Sequence, residues 1–225
     1  MSDNKKEKKR TPRITAADVS PVVIKRLPRY FRYLRELLRE GRMRISSGEL
    51  SERMQVTASQ IRQDLNCFGG FGQQGYGYNV NYLYTKICEL LGVNEGYTAI
   101  VIGVGHLGQA LVRSSLFEKR GVGIIGAFDV DPAVIGTEAG DLTVCSMSEL
   151  EAFCRAQAPD IAVLTCPKEE AQGVADRLMA LGVGGIWNFT GKELNSHCHG
   201  IEIENVHIAD SLMTLCYKLK GKSEE

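Results

Sequence analysis

What most constrains the fold of this 225-residue chain is the hexapeptide Gly103-Val104-Gly105-His106-Leu107-Gly108, set directly after the apolar run TAIVI and directly before a helical pattern. In a G-x-G-x-x-G turn of this kind, Gly103 permits the tight turn, Gly105 lets a pyrophosphate approach the backbone, and Gly108 lets the helix pack against the strand. Asp129 closes the next strand 21 residues after Gly108, where an acid can bond a ribose 2′-hydroxyl. Val130 and Asp131 follow it at the mouth of the same site. An acid with no Arg after it repels a 2′-phosphate, so the pattern predicts NAD(H) in preference to NADP(H). The competing reading is a domain whose glycines only shape a turn.

The rest of this half supports the first reading. Apolar strands over 98–103, 123–128, 143–146, 161–165 and 184–189 alternate with helices near 106–119, 148–157 and 168–181. Such alternation predicts an α/β fold, a doubly wound, Rossmann-like parallel sheet over 98–207. Thr165-Cys166-Pro167 and Asn188-Phe189 fall at the carboxyl ends of strands, where ligands of such sheets sit. A final helix over 208–225 carries Ile208, Leu212, Leu215 and Leu219 as a seam that predicts either a core helix or a dimerisation helix.

Charge separates this half from the other. The chain has 27 basic and 27 acidic side chains, yet residues 1–90 hold 17 basic and 9 acidic, and residues 91–225 hold 10 and 18. That split, +8 against −8, marks the N-terminal part as a partner for nucleic acid or a membrane surface. Residues 1–23 read as a flexible basic arm. Within 24–82, Tyr30, Leu34, Leu37 and Leu38 repeat at helical spacing, Ser46 and Glu49 stand at capping-box spacing, and Thr57 and Gln60 repeat that signal before Ile61, Leu65 and Phe68. Three short helices followed by the Gly-rich hairpin GGFGQQGYGYNV predict a winged helix-turn-helix. A helix over 83–97 would link the two domains.

Seven scattered cysteines without a CxxC pair signal neither a disulfide framework nor a cysteine zinc site, and His197-Cys198-His199 lacks a second cluster, so no metal is expected. No apolar run approaches a membrane span and the N-terminus is polar, which predicts a cytoplasmic protein. Only about 35 residues follow the fifth strand, too few for a substrate domain, and no His or Lys is placed as a proton donor. An NAD-dependent dehydrogenase is therefore disfavoured, and no catalytic residue is named.

With both modules laid out, the chain resembles the redox-sensing transcriptional repressor family Rex. The resemblance rests on RLPRYFRYL (26–34), ISSGEL (45–50), VTASQIRQDL (56–65), FGGFGQQGYGYNV (68–80), IGVGHLGQAL (102–111), AFDVDP (127–132), LTCPKEEAQ (164–172) and GVGGIWNF (182–189). It implies a homodimer that binds palindromic double-stranded DNA through the winged helix, is released by NADH, and exchanges its last helix between subunits. The residues implied at DNA are Arg26, Arg29, Ser46, Ser47, Thr57, Ser59, Gln60, Arg62 and Gln63, with Gln73, Gln74 and Tyr76 in the wing. Gln63, Gln73 and Gln74 stand where the family often has Lys or Arg. The family's domain coupling implies Arg32, with Ser114 and His207 replacing its Tyr and Asp, and Asp210 as a substitute acid. A constitutive repressor with a non-sensing Rossmann domain is the remaining alternative.

Overall fold

The computed structural model describes residues 19–68, 72–73, 77–194 and 200–222. It divides into two compact units, Met1–Asn94 and Glu95–Glu225.

In the first unit, α1 (Pro21–Ile24) leads into α2 (Leu27–Arg39), whose first turn tolerates Pro28 because its N–H would be unpaired there anyway. Strand β1 (Arg44–Ile45) then precedes α3 (Ser47–Met54) and α4 (Ala58–Asn66). The capping box at Ser46 forms in full: Ser46 Oγ accepts the Glu49 N–H at 3.1 Å and Glu49 Oε2 accepts the Ser46 N–H at 2.9 Å. The second box forms by half. Thr57 caps α4 by accepting the Gln60 N–H, but the Gln60 amide is drawn forward to Asp64 instead of back to Thr57.

Strands β2 (Gly72–Gln73) and β3 (Gly77–Asn79) make the hairpin, and β1 joins it to give an antiparallel sheet of order β1-β3-β2. Gly77, at φ +68°, brings β3 so close to β1 that a Cβ there would lie 2.7 Å from the Ile45 carbonyl oxygen. The helix expected as a linker over 83–97 is α5 (Val80–Leu90). It buries Val80, Leu83, Ile87 and Cys88 in the same core as Tyr30, Leu34 and Ile61, and Tyr84 stacks on Phe31 with ring centroids 5.3 Å apart. This helix belongs to the N-terminal core because its apolar stripe needs α2 as a cover. The expected arm also ends early among the described residues, since Val19 and Val23 are buried in that core. Residues 1–18, Gln74 and Tyr76 lie outside the described residues.

The second unit is a seven-stranded sheet of order β10-β9-β8-β4-β5-β7-β6. Its parallel strands are β4 (Tyr97–Ile102), β5 (Val122–Asp129), β7 (Leu142–Ser146), β8 (Ile161–Leu164), β9 (Gly185–Asn188) and β10 (Glu202–Asn205), while the short β6 (Glu138–Ala139) runs antiparallel on β7. Counting parallel strands alone, this is the doubly wound order 3-2-1-4-5-6 of a dinucleotide fold. The buried strands read as continuous apolar runs because helices cover both faces.

Helix α6 (His106–Val112) is shorter than the expected 106–119. Ser114 Oγ accepts the Leu116 N–H at 3.2 Å, a local bond that competes with helical pairing, and a 3-10 turn follows over Glu118–Arg120. Helices α7 (Leu150–Gln157) and α8 (Ala171–Ala180) fall near their expected places. The last helix, α9 (Ile208–Lys222), is not a core helix: Ile208 and Leu212 are each 60% exposed and Leu215 is 51% exposed. His197, Cys198 and His199 lie outside the described residues.

Candidate functional site

Strands β4 and β8 are sheet neighbours, yet the chain leaves β4 toward β5 and β8 toward β9 on opposite sides. The crevice beyond their carboxyl ends is the topological switch point of the fold. A cleft of roughly 940 Å³ opens there, lined by the glycine loop, by Asp129, Val130 and Asp131 after β5, and by Thr165, Cys166 and Pro167 after β8.

The three glycines are required for different reasons. Gly103 sits at φ +91°, and a Cβ on it would come 2.7 Å from the Cys166 backbone nitrogen. A Cβ on Gly108 would be 2.0 Å from the Gly103 carbonyl oxygen, so only glycine lets α6 lie against the loop. Gly105 has an ordinary φ of −68°, and a Cβ on it would meet no protein atom within 4 Å. Among the described residues, nothing in the packing demands a glycine at 105. The space it leaves faces the cleft, which fits a bulky group brought close to the backbone.

Asp129 anchors this loop. Its Oδ2 accepts the Val104 N–H at 2.6 Å, and its Oδ1 accepts the N–H groups of Val130 at 2.7 Å and Asp131 at 3.0 Å. A carboxylate offers about four acceptor positions, so one remains for a hydroxyl in the cleft. Thr165 Oγ1 donates to the Gly103 carbonyl, tying the two loops together. Burial pushes the Cys166 thiol up, and Glu170 and Asp129 add to the effect, so it stays protonated at neutral pH.

The N-terminal unit presents a second candidate surface. On α4, Ser59, Arg62, Gln63 and Asn66 recur at i, i+3, i+4 and i+7 and are all exposed, whereas Ile61, Leu65 and the following Phe68 are buried on the other face. Arg62 Nη1 donates to Ser47 Oγ at 3.1 Å, joining α4 to the start of α3. Asp64 is the exception on the inward face, a fully buried carboxylate. Its Oδ2 accepts Arg26 Nε at 2.7 Å and the Tyr30 hydroxyl at 2.9 Å, and its Oδ1 accepts Arg26 Nη2 at 2.7 Å and Gln60 Nε2 at 2.8 Å. Burial pushes this carboxyl upward, but the bonds from Arg26, Gln60 and Tyr30 outweigh it and hold it below the usual value. Arg26 is raised in turn by its bond to Asp64.

Two family models match the chain, "CoA binding domain" over residues 94–191 and "Putative DNA-binding protein N-terminus" over 18–66. A redox-sensing transcriptional repressor Rex from Caldicellulosiruptor saccharolyticus is 48% identical over 91% of this chain and 93% of its own length. Its counterpart from a Thermoanaerobacter species is 50% identical over 89% of each. Among solved structures, RSP in complex with β-NAD+ and operator DNA shares 49% identity, with a TM-score of 0.85 over 91% of this chain and 94% of that one. RSP with β-NADH matches at 46% and 0.84, covering 91% and 96%. The chain belongs to the Rex family.

Its relatives in that family are named as repressors, not enzymes. Of the cofactor residues expected from sequence, the cleft gathers Gly103, Gly105, Asp129, Val130, Asp131, Thr165, Cys166 and Pro167. Val104 and Gly108 are buried beneath the loop, and His106 and Leu107 stand exposed in the first turn of α6. Asn188 and Phe189 do not line the cleft. The Asn188 amide is spent on Lys192, Asn205 and Thr190, and Phe189 packs edge-on against Trp187 at 4.6 Å in a cluster with Val101 and Phe117.

On the DNA side, Arg26 and Arg29 are turned inward, contrary to the expected phosphate contacts. Arg26 is paired with Asp64, and Arg29 Nη2 donates to the Met54 carbonyl at the end of α3. Gln60 is held by the same Asp64. Ser46 and Thr57 are engaged as helix caps, and the Gln73 side chain lies outside the described residues. The implied coupling residues are placed singly: the Arg32 guanidinium lies 5.3 Å from the Tyr33 ring centroid, His207 Nε2 meets Glu193 Oε2 at 2.9 Å, and Asp210 is exposed in the first turn of α9.

Sequence reasoning missed Asp64, Asn66, and the cleft residues Val134, Met147 and Glu169. Asp64 had a signal, since it falls three residues after Ile61 in the apolar register of α4. An acid there needs a buried cation.

Proposed function

We infer that this protein is an NADH-responsive transcriptional repressor. It binds palindromic operator DNA as a homodimer in the cytoplasm and releases it when NADH fills the cleft at Gly103–Gly105. The observation that carries this reading is Gly105, which lines the cleft at an ordinary φ and leaves open the space that a Cβ would fill. Gly105 gives the pyrophosphate its approach and Asp129 takes the ribose hydroxyl. Cys166 and Pro167 border the far side of the cleft. The nicotinamide supplies the signal, a ring that is positive when oxidised and neutral when reduced.

The DNA-reading residues are Ser59, Arg62, Gln63 and Asn66 on α4, with Ser47 beside Arg62. The apolar face of α9 at Ile208, Leu212 and Leu215 is covered by a second copy, and two-fold symmetry then sets the α4 helices in successive major grooves, roughly 34 Å or a multiple apart. Asp210 of one subunit pairs with Arg32 of the other in the state that differs between DNA-bound and free dimers.

Only a ligand with different affinity for the two dimer states can shift them, and a coupling of about 1–3 kcal/mol would move operator affinity several-fold to a hundredfold. The test is an operator titration with NAD+ and with NADH. Tight binding with NAD+ and loss of binding with NADH are expected, and equal affinity with both would overturn the sensing role.

A further inference from the structure

Two arginines one turn apart, Arg26 at the N-cap of α2 and Arg29 in its first turn, each grip a different helix of the helix-turn-helix. Arg26 reaches α4 across 38 residues of sequence and meets Asp64 in a two-bond fork at 2.7 Å each. Arg29 reaches the last residue of α3 and donates to the Met54 carbonyl. Asp64 is fully buried and all four of its acceptor positions are used, by Arg26 twice, by Tyr30 and by Gln60.

Apolar packing between helices is permissive about rotation, because a leucine can slide or change rotamer at small cost. A forked guanidinium on a carboxylate is not permissive, since both of its bonds must align together. A helix can read bases through Ser59, Arg62, Gln63 and Asn66 only if its rotation about its own axis is fixed to within a fraction of a side-chain length. We propose that the pair Arg26–Asp64, with Arg29 gripping the end of α3, is a clamp that sets the rotational pose of α4, and that this pose is what the two arginines and Asp64 contribute to sequence discrimination. They are positioning residues that do not touch DNA. The inference rests on the repressor reading above.

A buried ion pair is weak evidence for stability and is often replaceable by apolar side chains without loss of the fold. That separates the clamp from a merely structural role. The triple variant Arg26→Met, Tyr30→Phe, Asp64→Leu removes the charges and the hydroxyl together and leaves the net charge unchanged. Gln60, half-buried, can turn to solvent. The full-length dimer is tested against two duplexes of equal length, one selected from a random pool by the wild-type protein and one of scrambled sequence. NADH affinity and the thermal midpoint are measured alongside.

The clamp predicts a folded variant with unchanged NADH affinity and unchanged scrambled-duplex binding. Its ratio of selected to scrambled affinity should fall by about tenfold or more, within the span that separates specific from non-specific binding. A folded variant that keeps the wild-type ratio overturns the clamp. So does a loss of affinity for both duplexes with a shallower salt slope, which would make Arg26 a phosphate contact. If the triple variant does not fold, Tyr30→Phe decides, with a smaller fall in the ratio expected and an unchanged ratio overturning the proposal. A wild-type protein that enriches no sequence from the pool overturns the repressor reading and the clamp together. One that discriminates beside an equally discriminating variant overturns the clamp alone.

Discussion

Gly105 and Gly108, three residues apart, separate what the fold needs from what the ligand needs. In Gly108→Ala the new methyl carbon would start 2.0 Å from the Gly103 carbonyl oxygen, well inside contact distance, so α6 or the loop must shift. Overpacking of this kind costs about 1–3 kcal/mol, which for a unit of this size lowers its melting midpoint by roughly 3–12 °C. In Gly105→Ala the methyl meets none of the described residues within 4 Å and the backbone φ of −68° suits any residue. The opposing effects there, a weaker N-cap and a stiffer unfolded chain, are each about 1 kcal/mol or less and partly cancel. Cleft occupancy is a different matter, since the methyl fills the space facing the pyrophosphate. We expect Gly105→Ala to keep its melting midpoint within a few degrees, to lose at least about tenfold in NADH affinity, or about 1.4 kcal/mol, and to stay on operator DNA when NADH is added. Calorimetric titration with NADH and differential scanning of both variants measure this. Refutation would be a Gly105→Ala protein that binds NADH like wild type, or one that melts as low as Gly108→Ala.

Arg26→Ala strands the buried Asp64 carboxylate and should cost the N-terminal unit about 3–5 kcal/mol. Arg62→Ala, at an exposed position, should leave denaturant unfolding nearly unchanged while weakening binding to the selected operator by about 1–3 kcal/mol in the operator titration. Acid unfolding tests Asp64 further. Its folded value lies below the unfolded one, so its stabilisation is present above about pH 4 and is lost as pH falls through the depressed folded value. Asp64→Asn should flatten the unfolding free energy in that acid window, and an unaltered profile would count against the pairing. Glutamate at Leu212 and Leu215 should convert the dimer to monomer in sedimentation equilibrium, with NADH binding retained.

Signals that act over a few residues are legible in the sequence. The strand, the glycine hexapeptide and Asp129 lie within 32 residues of one another, and each acts through backbone geometry that its own neighbours impose. The Ser46 cap and the α2 stripe belong to the same class. By the same local logic the Thr57 box is only half realised, because a residue four positions beyond Gln60 competes for its amide.

The sequence by itself thus determined a winged helix-turn-helix followed by a dinucleotide sheet, since periodicity, caps and glycine turns depend on residues a few places apart. Tertiary structure decided the fate of individual polar side chains. Arg26 and Arg29 read as phosphate contacts because cations near a DNA-binding helix usually face solvent, and only the approach of α2 to α3 and α4 turned them inward. Asn188 read as a ligand residue from its place at a strand end, and the return of the chain through Asn205 claimed its amide. A charge or an amide takes whichever partner removes its desolvation cost, and partners 17 to 38 residues away are chosen by packing, which no local pattern encodes.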